Sequence, residues 1–99
     1  MDEMVQETIR RMAESNGLST EEQKKRLVKL IHKITLEEHS HLHAFQLQFY
    51  GTEEPSPEEW VCGLIAIMIS DKYPLEDKVH ACTAHYMASD PHVMREWYD

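Results

Sequence analysis

Glycine, proline and cysteine are all scarce in this sequence, with three, four and two copies in 99 residues. Few glycines and prolines argue against a disordered chain and against a turn-rich all-β fold. The two cysteines, Cys62 and Cys82, are too few for a disulfide framework. Because each has apolar neighbours along the chain, we expect both to be buried free thiols.

Long hydrophobic runs are also absent. The best apolar stretch, VCGLIAIMIS, has ten residues, whereas a membrane helix needs about 18. The first residues, MDEMVQETIRRM, are acidic at once and lack the apolar core of a signal peptide. These absences predict a cytoplasmic protein that does not enter a membrane. The composition, 41% hydrophobic and 28% charged, predicts one soluble domain over residues 1–99.

Positive charge is missing from the middle of the chain. The formal net charge is −8, and residues 34–99 account for −9 of it because they hold twelve acidic but only three basic side chains. Seven acidic residues and no Lys or Arg occur from Ile34 to Asp71. We therefore expect no nucleic-acid binding by this region, since phosphate contacts need positive charge. A basic protein partner fits it better.

Helix signals recur along the chain, and they predict an all-α fold: a compact bundle of four helices plus a short C-terminal helix. Ser19 followed by Glu22 has the capping-box pattern. Ser56 with Pro57 behind it is the strongest helix start. Gly17 and Gly51 are suited to helix ends. Asp90-Pro91 begins the short last helix, whose apolar residues are Val93, Met94, Trp97 and Tyr98.

Two apolar patterns lie in the second half. Trp60 to Ile69 is apolar nearly all round, which predicts a central buried helix. On the next predicted helix, from Leu75 to Ser89, one side carries Leu75, Val79, Cys82 and Tyr86.

The segment 20–50 allows three interpretations. One helix can run through to Tyr50, or a second capping box, Thr35 with Glu38, can restart the helix at a bend. The alternation in FQLQF would instead suit a strand. We favour helix, because a lone strand among helices cannot satisfy its backbone hydrogen bonds.

Three histidines fall within five residues of this segment, in HSHLH. On a continuous helix His39 and His43 are about 40° apart, and His32 lies about 20° from His39. Two imidazoles on one face can chelate a divalent metal. Structural zinc usually takes four ligands, however, and nothing nearby completes the set. We therefore expect His39 and His43 to be exposed on one helix face, with metal binding by His32, His39 and His43 as the alternative.

Two weaker patterns bear on catalysis. Glu38-x-x-His41 and Asp77-x-x-His80 resemble the spacing of di-iron helix bundles, but Asp is shorter than the glutamate such sites use. Cys82 and His85 are one helical turn apart, where a histidine could activate a thiol. No glycine-rich phosphate loop, G-x-S-x-G elbow or C-x-x-C pair occurs. We expect binding rather than catalysis, and no cofactor.

These observations predict a small acidic protein-binding module that masks or inhibits a basic protein partner. Immunity proteins, antitoxins and phage-type inhibitors are examples of this class. An alternative is a structural homodimer held together by exposed methionine and aromatic residues. The predicted partner-binding face consists of Glu37, Glu38, Glu53, Glu54, Glu58 and Glu59, with Trp60 as an aromatic anchor.

Overall fold

A computed structural model describes residues 2–93, of which 79% are helical and none lies in a strand. The all-α prediction is therefore confirmed. None of the helices in this part of the chain has both the length and the apolar character needed to cross a membrane. The predicted short C-terminal helix starts at Pro91, but most of its apolar residues lie outside the described range. The five longer helices are α1 (Asp2–Asn16), α2 (Thr20–Leu36), α3 (His41–Tyr50), α4 (Pro57–Ile69) and α5 (Leu75–Ser89).

The helix boundaries follow local signals in the sequence. Gly17 takes a positive φ of 69° directly after α1, a conformation that glycine adopts without steric cost. The Ser19 hydroxyl accepts a hydrogen bond from the backbone N–H of Glu22 at the start of α2. At the start of α4, Ser56 and Glu59 form a complete capping box with Pro57 in the first turn.

The core lies around α4, which packs against α1, α2 and α5. Its residues Leu64 and Ile67 are buried, as a central helix requires, although Ile69 at its end is exposed. Burial of these side chains supplies the main stabilisation of the fold. The larger apolar core residues from the other helices are Val5, Ile9, Met12, Leu27, Leu30, Ile31, Ile34 and Phe45.

Residues 37–40 interrupt the helical segment, so the described part of the chain has five long helices, one more than the four predicted. The new start is capped by Ser40, whose hydroxyl accepts a hydrogen bond from the His43 N–H at 3.0 Å. The predicted capping residue, Thr35, lies within α2 and donates to the Ile31 carbonyl. The preference for helix over strand is therefore confirmed, and the helix does restart after a break, but the unbroken helix is wrong and the restart is capped by Ser40 and not by Thr35.

Helix α5 packs through its small residues and turns its large ones outward. Ala81, Ala84 and Ala88 are fully buried, which lets this helix approach its neighbours closely. The opposite side is solvent-exposed: 76% of Leu75, 52% of Val79 and 59% of Tyr86 are accessible. Cys82 lies among them and is also exposed, whereas Cys62 is half-buried. The prediction of two buried thiols is therefore wrong, most clearly for Cys82.

Candidate partner-binding site

An open cleft of about 220 Å³ lies beside the break between α2 and α3. One wall includes Glu38 from the break, and another includes Glu53 from the loop that follows α3. Leu47 and His43 of α3 also line it. We call this feature the acidic cleft. It brings together two of the glutamates that the sequence placed on a partner-binding face.

Two chain reversals create the acidic cleft. Helix α2 ends where the N–H of Glu37 donates to the carbonyls of Lys33 and Ile34, at 3.1 and 3.3 Å. Helix α3 ends at Gly51, whose positive φ of 79° turns the backbone sharply. The chain therefore returns past the side of α3 that carries Leu47, and Glu53 comes to line the same cleft as Glu38.

Three glutamates at this end of the bundle have no partner among the residues that the structure describes. Glu37, Glu38 and Glu53 are exposed, and within residues 2–93 none of their carboxylates forms an ion pair or a hydrogen bond. Apolar surface lies among them, because Leu36 is exposed and Leu47 is 46% accessible. This end of the molecule therefore offers both negative charge and apolar contact area to a partner.

The other predicted acidic residues have partners within the chain. Oε1 of Glu54 lies 2.7 Å from Nδ1 of His32, and Oε1 of Glu58 lies 3.4 Å from Nζ of Lys24. Glu59 accepts a hydrogen bond from the backbone N–H of Ser56. The predicted acidic face is thus divided. Glu37, Glu38 and Glu53 present their charge outward, while Glu54, Glu58 and Glu59 also stabilise loops and helix ends.

Trp60 is not available to a partner. Only 1% of it is accessible, and its indole N–H donates to Gln46 inside the bundle. Its predicted role as an aromatic anchor for a partner is therefore wrong. Trp60 lies in the first turn of α4, on the side of the helix that faces the core. Leu47 provides the exposed apolar surface that the sequence analysis missed. The signal for it was FQLQF: on a helix, a residue two positions from Phe45 and Phe49 points about 200° away from each.

The three histidines of the metal alternative do not form a site. His32 is on α2 and contacts Glu54, while His39 is exposed in the interhelical break. His43 is half-buried, and its Nδ1 lies 3.1 Å from the Ile34 carbonyl, to which it donates. The break removes the common helix face that the spacing assumed. Across residues 2–93 no group of three or more His, Cys, Asp or Glu side chains is placed to hold a metal.

The structure supports neither of the two patterns that the sequence suggested for catalysis, although it brings two of their histidines together. The rings of His41 on α3 and His80 on α5 stack, with centroids 6.0 Å apart and planes 17° apart. Glu38, however, lies outside α3, so it does not share a helix face with His41 as a di-iron site would need. Burial lowers the pKa of His85 below its ordinary value. That shift favours the neutral imidazole, which cannot supply the positive charge that stabilises a thiolate at Cys82.

Comparisons with known proteins give no relative: no protein-family model, no curated protein and no solved structure matches this chain.

Proposed function

We propose that this protein is a small binding module that recognises a basic segment of another protein at the acidic cleft and thereby masks it. The observation that carries the proposal is the meeting of Glu38 and Glu53 around the exposed side chain of Leu47. A partner's lysine or arginine would lay its apolar stem on Leu47 and place its charged end between the two carboxylates. Charge-assisted hydrogen bonds of this kind are stronger than neutral ones.

The surrounding charge supports the same partner. Glu37 adds a third exposed carboxylate beside the cleft, one that forms no ion pair within residues 2–93, and no Lys or Arg occurs between Ile34 and Asp71. A field of one sign speeds the encounter with an oppositely charged partner and disfavours acidic ones. It also opposes nucleic acid, whose phosphates carry the same sign as the cleft. Immunity proteins, antitoxins and phage-type inhibitors are the functional classes that this proposal favours.

The test uses a labelled peptide of alternating arginine and leucine as the basic probe, titrated with the full chain by fluorescence anisotropy. The same peptide with citrulline in place of arginine keeps the shape and removes the charge. We expect the arginine peptide to bind, and we expect its affinity to fall as added salt screens the charge of the cleft. We expect the citrulline peptide to bind at least tenfold more weakly.

A pair of triple variants locates the binding. The first variant combines Glu37→Lys, Glu38→Lys and Glu53→Lys. It should bind the arginine peptide at least tenfold more weakly than the wild type does, with its helical content unchanged. The matched control, Glu3→Lys, Glu21→Lys and Asp71→Lys, changes the net charge by the same amount at scattered exposed positions. It should weaken binding much less. Equal losses in the two variants would show that net charge alone attracts the peptide, and the proposal would fail.

A further inference from the structure

The outward side of α5 is an exposed apolar feature of the described surface that the acidic cleft does not use. Leu75, Val79, Cys82 and Tyr86 follow one another at intervals of four, three and four residues, which keeps them on one helix face. All four are exposed. We call them the α5 stripe. A shallow groove of about 380 Å³ runs along it, bordered by Lys78 and Thr83.

We propose that the α5 stripe is the interface of a homodimer, in which the α5 helices of two copies pack antiparallel about a two-fold axis. The spacing supports a second copy of this chain as the occupant, because the intervals of four, three and four residues are the same when read from either end of the helix. An antiparallel copy therefore places Leu75 opposite Tyr86 of the second copy and Val79 opposite Cys82. An interface between two identical copies about a two-fold axis requires this self-complementarity. Binding of a helix from an unrelated protein does not require it.

Side-chain size fits this alignment as well as spacing does. The two large residues, Leu75 and Tyr86, lie at the ends of the α5 stripe, and the two smaller ones, Val79 and Cys82, lie at its centre. Each copy would thus bring small residues together at the axis, where the helices cross most closely, and large residues together where they diverge. Lys78 would lie opposite Thr83 of the second copy, so no like-charged pair faces directly across the interface.

The available area matches a modest dimer. Scaled from about 150–250 Å² for a large aromatic side chain, the exposed parts of the four residues total roughly 400 Å² of apolar surface. Since interfaces are roughly 57% apolar, that area implies about 700 Å² per copy with its polar rim. A standard interface buries about 800 Å² per partner. Left in water, the α5 stripe would be an exposed apolar patch within the range of roughly 300–600 Å² found for the largest patch of a typical monomer, which is often functional.

Sedimentation equilibrium of the full chain over micromolar to millimolar concentration tests the proposal directly. We expect a monomer–dimer equilibrium that strengthens with salt, because apolar contact holds together two copies that each carry −8. Val79→Glu puts a charge beside the axis and should weaken dimerisation at least tenfold without loss of helical content. Val28→Glu, at a similarly exposed valine on α2, is the matched control and should leave dimerisation unchanged.

Cross-linking provides a second measurement that does not depend on a disruptive substitution. In the proposed alignment, Cys82 lies next to the axis in both copies, about 4.5 Å apart along the helix direction. In a Cys62→Ser background, a short bis-maleimide should give a covalent dimer through Cys82, and Val79→Glu should suppress it. A monomer at every concentration would overturn the proposal and leave the α5 stripe to a different protein. Equal weakening by Val28→Glu and Val79→Glu would overturn it too.

Discussion

The indole N–H of Trp60 donates a hydrogen bond to Oε1 of Gln46, with 3.2 Å between nitrogen and oxygen. The amide nitrogen of the same Gln46 donates to the Ile31 carbonyl at 3.2 Å and to the Thr35 hydroxyl at 3.0 Å. One buried amide thus connects α4, α3 and α2. Because these groups are withdrawn from water, each bond that is lost leaves an unsatisfied polar atom in the core.

Replacing this amide by an apolar side chain of similar size should destabilise the fold. We expect Gln46→Leu to lower the free energy of unfolding by about 2–3 kcal/mol, since the Trp60 N–H loses its acceptor and finds no water. Urea unfolding followed by circular dichroism measures the change. Gln48→Leu, two residues further along α3 and exposed, should change it by less than about 0.5 kcal/mol. Equal effects would mean that the Gln46 amide contributes nothing specific.

Helix ends were predictable because their causes are local. Two helices begin where the hydroxyl of Ser19 or Ser56 accepts a hydrogen bond from a backbone N–H within one turn. Two helices end at a glycine with positive φ, Gly17 or Gly51. The break before α3 was harder to place. Thr35 and Ser40 both carry a hydroxyl suited to capping, and Thr35 is engaged instead by the Gln46 amide of another helix.

Burial was predictable for α4, which is apolar nearly all round, but not for α5, which has two different sides that could face the core. On α5 the large residues lie on one side and alanines on the other, and local periodicity favours burying the large ones. The structure buries Ala84 and exposes Val79, because close packing against α4 and α1 depends on shapes supplied by distant segments. Trp60 was predicted both as the first residue of a buried helix and as a partner anchor, and only its burial is correct. Its acceptor, Gln46, belongs to another helix, and nothing near Trp60 in sequence indicates it.

Gly63 is a point of close approach between α4 and the side chain of Tyr50. A Cβ added at Gly63 would lie 2.8 Å from both Cε1 and Cζ of Tyr50, and closer still to its hydroxyl. That hydroxyl cannot easily move, because it donates to the Trp60 carbonyl at 2.6 Å. Gly63→Ala should therefore destabilise the protein by about 1–3 kcal/mol, although alanine gains about 1 kcal/mol in helix propensity.

A double-mutant cycle separates the clash from other effects of the added methyl group. In a Tyr50→Leu background the ring and its hydroxyl are gone, and Gly63→Ala should cost much less than it does alone. Thermal or urea unfolding of the four proteins gives the coupling free energy. Additive effects would show that Tyr50 is not what forbids a side chain at position 63.

The cap at Ser40 determines where α3 begins and so where the acidic cleft opens. Ser40→Ala removes the acceptor of the His43 N–H, and we expect a loss of about 0.5–2 kcal/mol of stability. Ser40→Asn keeps an acceptor at this position and should retain most of that stability. Urea unfolding compares the three proteins. If alanine and asparagine behave alike, the hydroxyl at Ser40 is not what holds the start of α3.

His85 should make the fold sensitive to mild acid. Burial lowers the pKa of His85 in the folded protein, whereas an unfolded histidine titrates near 6.5. The unfolded chain therefore binds the proton first as pH falls. The stabilisation is complete above about pH 6.5 and is lost as pH falls below that value towards the folded pKa. The free energy of unfolding, measured with urea between about pH 7.5 and about pH 5, should decline across this range.

Substitution identifies the histidine responsible. His85→Gln removes the group that titrates and should flatten the decline between about pH 6.5 and pH 5. His39→Gln changes an exposed histidine in the α2–α3 break and should leave the slope as in the wild type. Stability that rises on acidification would contradict the sign of the shift. A slope that survives His85→Gln and disappears with His39→Gln would assign the acid sensitivity to the break instead of to α5.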